Sequence, residues 1–200
     1  MYIAGLTGNY GMGKSFVLSV FKELGAEVLG SDEIVHHLLQ DKKVISKVKK
    51  ILGGEALNEH GMLIKKNVAR IIFNNSELRE KLEAILHPLV FHWIQKYLQK
   101  IKGNQRLVIV EVPLLFEGAY QGRFRRTITV YTTQKTALER LKKCGISRRN
   151  AMQRLKVQLP VQIKKKKADY LIDNNGSKQE TRKQVENIYE QLREEMLTKG

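Results

Sequence analysis

Residues Gly8-Asn9-Tyr10-Gly11-Met12-Gly13-Lys14-Ser15 fit the pattern G-x-x-x-x-G-K-[ST], and their flanks decide what that pattern can do. Tyr2-Ile3-Ala4-Gly5-Leu6 before it reads as a short buried strand. After it, Val17, Val20, Phe21 and Leu24 recur at helical spacing until Gly25 ends the run. A strand, a glycine-rich turn and a helix in that order leave several backbone N–H groups pointing inward at the positive end of a helix dipole. That is a site for phosphate groups. In such a loop Gly8, Asn9, Tyr10, Gly11, Met12 and Gly13 wrap a nucleotide's phosphates with Phe16 just beyond, Lys14 reaches the outer phosphates, and the Ser15 hydroxyl ligates Mg²⁺. The competing reading is a glycine-rich turn that merely packs, and the complete motif with correct flanks argues against it.

The rest of the chain is compatible with one domain carrying an insertion: 200 residues, 42% hydrophobic and 28% charged, an ordinary globular balance. No basic segment followed by an apolar one opens the sequence, and no apolar run approaches the roughly 20 residues that span a bilayer. A cytoplasmic location without membrane association is expected. Cys144 is the single cysteine, so neither an internal disulfide nor a cysteine-based zinc site can form.

Charge is where the composition departs from the ordinary. The 36 Lys and Arg against 20 Asp and Glu give +16, unevenly placed. Residues 1–33 hold two basic and four acidic side chains, whereas the stretch from Arg140 to Lys167 holds eleven Lys or Arg and no Asp or Glu. The competing reading of this whole segment, the run Lys164 to Lys167 included, is a solvated helical face, but its arginines alternate with Leu141, Ile146, Met152, Leu155 and Val157, which predicts a helix pair packed on one side and charged on the other. Across a triphosphate, one or two of these arginines would stabilise charge on a transferring phosphoryl group.

Between these ends the pattern alternates. Glu27-Val28-Leu29 is a second strand, with Gly30-Ser31-Asp32 at its carboxyl end before a helix through Ile34, Val35, Leu38 and Leu39. Position alone leaves Asp32 either as that helix's N-cap or as a carboxylate that accepts a proton from an attacking hydroxyl. Residues 42–102 read as helical and basic, with a break expected at His87-Pro88 because proline disfavours helix in the residue before it, and a restart running through Ile101. Leu107 to Val112 is an apolar strand in which Glu111 stands out, either acting through water on a magnesium ion or pointing into solvent. Thr127 to Tyr131 is a fourth strand, followed by a helix from Lys135 to Lys143. Asp169 to Asn174 is a fifth strand and turn, and Ser177-Lys178-Gln179-Glu180 is a capping box opening a terminal helix. The sum is a doubly wound five-stranded parallel α/β sheet with a helical insertion and a helical lid.

Several stretches in this order resemble the dephospho-coenzyme A kinase family: Gly5-Leu6-Thr7-Gly8 with the phosphate loop, Gly25 to Val28 followed by Ser31-Asp32, Leu82 to Pro88, Pro113-Leu114-Leu115-Phe116-Glu117, Arg154 to Pro160 and Ala168 to Asn174. The resemblance covers nearly the whole chain. It implies a P-loop kinase that transfers the γ-phosphate of ATP, with Mg²⁺, to the ribose 3′-hydroxyl of dephospho-coenzyme A. It also implies Asp32 as the proton acceptor, an acceptor site that includes His87 and Pro88, and Arg140 and Arg154 on a lid that closes over the phosphates. On that reading the core is residues 1–32, 103–138 and 168–200, the acceptor-binding insertion 33–102, and the basic lid 139–167. The family's pattern is departed from at Gly30 and Glu111, where aspartates are usual, at Phe16, which replaces a hydroxyl residue, and at Cys144, where a second lid arginine is usual. A monomer or small homo-oligomer working on small molecules is expected, with no nucleic acid required. Two other readings stay open from the residues: a nucleoside or nucleotide kinase of the same fold, and a nucleotide-switched nucleic-acid-binding protein that uses the positive charge.

Overall fold

The structure, a computed structural model, describes residues 1–100 and 106–198, without the side chains of residues 65, 73 and 74. Among these, residues 1–30 and 106–198 form one compact unit and residues 31–100 a second.

The first unit is built on five parallel strands: β1 (Tyr2–Thr7), β2 (Glu27–Gly30), β3 (Leu107–Glu111), β4 (Arg126–Tyr131) and β5 (Tyr170–Asp173), in the order β2-β3-β1-β4-β5. Parallel strands need crossovers, and a sheet covered on both faces favours near-continuous apolar strands such as Leu107-Val108-Ile109-Val110. Side-chain alternation divides the faces. Tyr2, Ala4, Leu6, Leu107, Ile109, Ile128, Val130 and Ile172 join one core with α1 (Lys14–Glu23) and α9 (Lys178–Thr198), which contribute Val17, Val20, Phe21, Val185, Ile188, Leu192 and Met196. On the opposite face, Thr127 and Thr129 of β4 are buried polar residues. Thr127 is tied to Asp169 Oδ2 through both its N–H and its hydroxyl at 2.7 Å, and the Thr129 hydroxyl donates to the Lys164 carbonyl.

The capping box forms as the sequence predicts. The Ser177 N–H and hydroxyl donate to Glu180 Oε2 at 2.7 and 2.9 Å, and the Glu180 N–H donates back to Ser177 Oγ, so α9 starts at Lys178. Three short helices follow β4 and its turn: α6 (Gln134–Lys143), α7 (Arg148–Leu155) and α8 (Val161–Lys167). Thr133 and Ser147 cap the first two by accepting from Thr136 N–H and Asn150 N–H.

The second unit is helical: α2 (Ser31–Leu38), α3 (Lys42–Leu52), a single turn at Gly54–Ala56, α4 (Lys65–Asn74) and α5 (Ser76–Lys100). Asp41 caps α3, accepting from the Lys43 and Val44 N–H groups, and Val44, Val48, Leu52, Ile71, Leu82 and Leu86 make a separate core. One expectation fails here, because α5 runs unbroken through Pro88. A proline inside a helix costs about 3 kcal/mol, through the missing N–H and its clash with the preceding turn. Five buried apolar side chains flank it, Leu82 and Leu86 before and Val90, Phe91 and Ile94 after. At about 1.5–3 kcal/mol each for full burial, they outweigh the proline. Ile101, where the restarted helix was expected to end, lies outside the described residues.

Candidate active site

The loop between β1 and α1 takes the conformation its glycines allow. Gly8 has φ 152° and Gly13 φ 88°, and a Cβ on either would collide, with the Val130 carbonyl and with the Asn174 side chain respectively. Only glycine fits where backbone approaches this closely in the left-handed region. Gly13 precedes α1 directly, so the loop's N–H groups sit at that helix's positive end.

Lys14 folds back across the loop. Its Nζ donates to the Gly8 carbonyl at 3.0 Å and to the Asn9 carbonyl at 3.5 Å, and lies 3.6 Å from Glu111 Oε1. Glu111 is therefore not the solvated edge carboxylate that one reading of the strand allowed: its side chain is 19% exposed and faces the loop lysine. The register explains this, since Glu111 closes β3 opposite Leu6 on one side and Gly30 on the other. Ser15 is exposed at the start of α1. Phe16 is half-buried against the core rather than lining the loop, with the Lys178 ammonium above its ring.

The basic segment reaches the same loop at two points. Arg140 on α6 donates from Nη2 to the Asn174 carbonyl at 2.9 Å, and its Nη1 lies 3.4 Å from where a Gly13 Cβ would stand. Arg154, on α7, has its guanidinium carbon 4.7 Å from the centre of the Tyr10 ring. The Tyr10 N–H donates to Gln158 Oε1 at 2.8 Å, and the Asn9 side chain, 6% exposed, donates to the Leu159 carbonyl at 3.0 Å. Met12 is buried and its carbonyl accepts from Asn174 Nδ2. Cys144, where a further lid arginine is usual in the family it resembles, is exposed at the end of α6.

Sequence reasoning missed two parts of this site. Asn174, 5% exposed, is a hub: it donates to Met12 O, accepts from the Thr181 hydroxyl, and offers its carbonyl to Arg140. The second is Lys164, not singled out from the basic segment by its sequence but fully buried. Its ammonium contacts Glu117 Oε1 at 2.9 Å and donates to the Pro113 carbonyl at 2.9 Å. Burial pushes its pKa down, the Glu117 carboxylate pulls it back up, and the nearby Lys14 charge pushes it down again. The helical period held the signal, since Val161, Lys164 and Lys165 fall on one face of α8 and all are partly or fully buried. Lys165 is also engaged, its Nζ 3.7 Å from the centre of the Tyr131 ring. The solvated run therefore shrinks to Lys166 and Lys167.

In the second unit, α2 begins at Ser31, so Asp32 is exposed inside the first turn and not at the capping position. His87 is half-buried on α5, and burial lowers its pKa, which keeps the imidazole neutral at pH 7. Its neighbour Pro88 is exposed.

A doubly wound parallel sheet with this loop at the carboxyl end of β1 is the architecture of a P-loop kinase. The family model described as dephospho-CoA kinase matches residues 2–180, and the chain belongs to that family. It is thus an ATP-dependent kinase, a transferase. A dephospho-CoA kinase of Aquifex aeolicus is 39% identical over 189 residues, covering 94% of this chain and 96% of the relative. Among solved structures, a dephospho-CoA kinase from Campylobacter jejuni superposes with a TM-score of 0.69 at 26% identity, covering 96% of this chain and 97% of that one. A Thermus thermophilus structure reaches 0.82 at 29% identity with the same coverage. Among the described residues, no helix is long and apolar enough to cross a membrane.

Proposed function

We propose that this chain transfers the γ-phosphate of ATP to the ribose 3′-hydroxyl of dephospho-coenzyme A, giving coenzyme A and ADP. The observation that carries the reading is the convergence of Lys14, Arg140 and Arg154 on one phosphate loop, in a chain that matches the family over residues 2–180. The loop backbone from Gly8 to Ser15 binds the triphosphate, and Lys14 turns from the loop's own carbonyls to the outer phosphates. Arg140 and Arg154 neutralise the charge that spreads over the transferring group. Because they sit on short helices of a basic segment, residues 139–167 act as a lid that also keeps bulk water from competing as acceptor.

Asp32 accepts the proton of the attacking hydroxyl. What supports the reading is that it is exposed in the first turn of α2, with a carboxylate free of any capping role, at the position that matches the family's proton acceptor. The insertion, residues 33–102, holds the acceptor, with neutral His87 and the adjoining Pro88 among its contacts. For Mg²⁺ the fit is that of an ion brought by the nucleotide. Ser15 offers one exposed hydroxyl at the helix start, and among the described residues no cluster of three His, Cys, Asp or Glu could form a protein cage. When bound, the ion would help neutralise the charge of the phosphates. The free, exposed Cys144 suits a reducing cytoplasm.

The test is ADP production from Mg²⁺-ATP with dephospho-coenzyme A, adenosine and AMP as parallel acceptors. Turnover that depends on dephospho-coenzyme A, with coenzyme A as product, is the expected result. Turnover only with adenosine or AMP would overturn the acceptor and leave the kinase standing.

A further inference from the structure

The motif leaves residues 9 and 10 of the phosphate loop free to be anything, and here they are Asn9 and Tyr10. Both reach out of the loop to the same stretch of chain. The Tyr10 ring lies under the Arg154 guanidinium, the Tyr10 N–H donates to Gln158 Oε1, and Asn9 Nδ2 donates to the Leu159 carbonyl. Leu159 is gripped from its other side, because its N–H donates to Glu117 Oε1 at 2.8 Å, the atom that also pairs with Lys164.

The helices on either side of this stretch are short. The eight residues of α7 fully bury only Ala151, and the seven of α8 fully bury only Lys164. Helices of that length are marginal without a packed apolar face. Arg154 itself is exposed, and ordering an arginine side chain costs rotamer entropy that each contact helps to offset. An aromatic face does this for a guanidinium without neutralising it, whereas a carboxylate would cancel the charge that phosphate requires.

We propose that Tyr10 is a positioning residue. Its ring holds the Arg154 guanidinium, and with Asn9 it latches residues 154–159 onto the phosphate loop, so that this arginine is in place before nucleotide arrives. The proposal deepens the function given above and rests on it only in taking Arg154 as a phosphate clamp. The chemistry of the latch is specific: the ring face is needed and the phenol hydroxyl is not. Changing the side chain leaves the Tyr10 N–H to Gln158, so the ring's share separates from that of the backbone.

The experiment compares Tyr10→Phe with Tyr10→Leu in the full chain. Amide hydrogen exchange of residues 156–159 is followed without nucleotide, and kcat and KM are measured with Mg²⁺-ATP and dephospho-coenzyme A. We expect exchange in Tyr10→Leu to be about fivefold faster than in Tyr10→Phe, the scale of one cation–π contact. We also expect kcat about fivefold lower in Tyr10→Leu, with equal KM for dephospho-coenzyme A and melting temperatures within about 3 °C of each other. Equal exchange in the two variants would overturn the latch, as would a difference confined to KM or to melting temperature. Exchange does not depend on turnover, so if the wild-type chain leaves dephospho-coenzyme A unphosphorylated, the function fails while the exchange comparison still decides the latch. Should Tyr10→Leu fold poorly, Tyr10→Met takes its place against Tyr10→Phe. Equal exchange at residues 156–159 in those two variants overturns the proposal.

Discussion

The ammonium of Lys14 lies 3.6 Å from the Glu111 carboxylate, so the last residue of β3 faces the charge that the phosphate loop presents. Lys14 is only about 10% exposed, and it also donates to carbonyls of its own loop. An ammonium held this way is kept beside the loop and close to its charged state's partners, so it has only to turn from these oxygens to meet a phosphate, and a donor already positioned is worth more than one that must be recruited. Lys14→Met should reduce kcat by about 10²–10³-fold, the scale of losing one preorganised donor, while its apolar stem still packs. Steady-state kinetics with a melting curve checks this. A loss confined to KM for ATP would make Lys14 a binding residue only.

Asp32→Asn isolates the proposed proton acceptor. The residue is exposed in the first turn of α2, where a negative charge near a helix N-terminus contributes about 0.3–1 kcal/mol. Folding should therefore survive the change, whereas phosphoryl transfer should fall by about 10²–10⁴-fold, the range for loss of a general base. The measurement is kcat alongside thermal denaturation, and turnover within a few-fold of wild type would remove Asp32 from the chemistry.

The fold was legible wherever period and local chemistry agreed. The strands around Ala4, Ile109 and Ile128, the helix after Lys14 and the Ser177–Glu180 capping box each announce themselves within a few residues, because alternation, helical spacing and capping are local properties. Pro88 shows the opposite case: a local rule against helix yields to burial of Leu86, Val90 and Phe91, which no short window can price. The site divides the same way. Its glycines and Lys14 are written in the motif, but Glu117 and Lys164 are 47 residues apart and pair only once α8 lies against the turn after β3. Asn174 is as remote, joining Met12 across 162 positions. Polar contacts between distant segments leave no periodic trace, and a buried lysine inside Lys164-Lys165-Lys166-Lys167 is camouflaged by its neighbours.

That pair supplies the next expectation. Lys164→Met strands the Glu117 carboxylate, which would keep only the Leu159 N–H on Oε1, in a place that is 14% exposed. Removing one partner of a buried ion pair destabilises by about 3–5 kcal/mol, whereas replacing both with uncharged groups is often near neutral. Lys164→Met should lower stability by an amount in that range, and adding Glu117→Gln should recover most of it. Denaturant unfolding of the two single variants and the double variant measures the coupling. Additive losses would mean that the pair is not a unit.

Glu195 is one source of pH dependence in the fold. It accepts from the hydroxyls of Tyr2 at 2.6 Å and Tyr170 at 2.8 Å, and pairs with Arg126 through both carboxylate oxygens, tying α9 to β1, β4 and β5. Burial alone would raise its pKa from 4.5, but these bonds and the guanidinium charge bring it down to about 2. Burial first, and the bond to Glu195 with it, raise Tyr2 from 10.0 to about 12. The signs follow from which form the fold prefers. A depressed carboxyl pKa contributes stability above pH 4.5 that is lost as pH falls toward 2, and a raised phenol pKa contributes below pH 10 and is lost as pH rises toward 12. Glu195→Gln keeps a hydrogen-bonding side chain and removes the charge. It should destabilise the protein at neutral pH and remove most of the difference from wild type by pH 2. Denaturant midpoints for both chains between pH 2 and 7 provide the check, and parallel curves across that range would show that the Glu195 charge contributes nothing to folding.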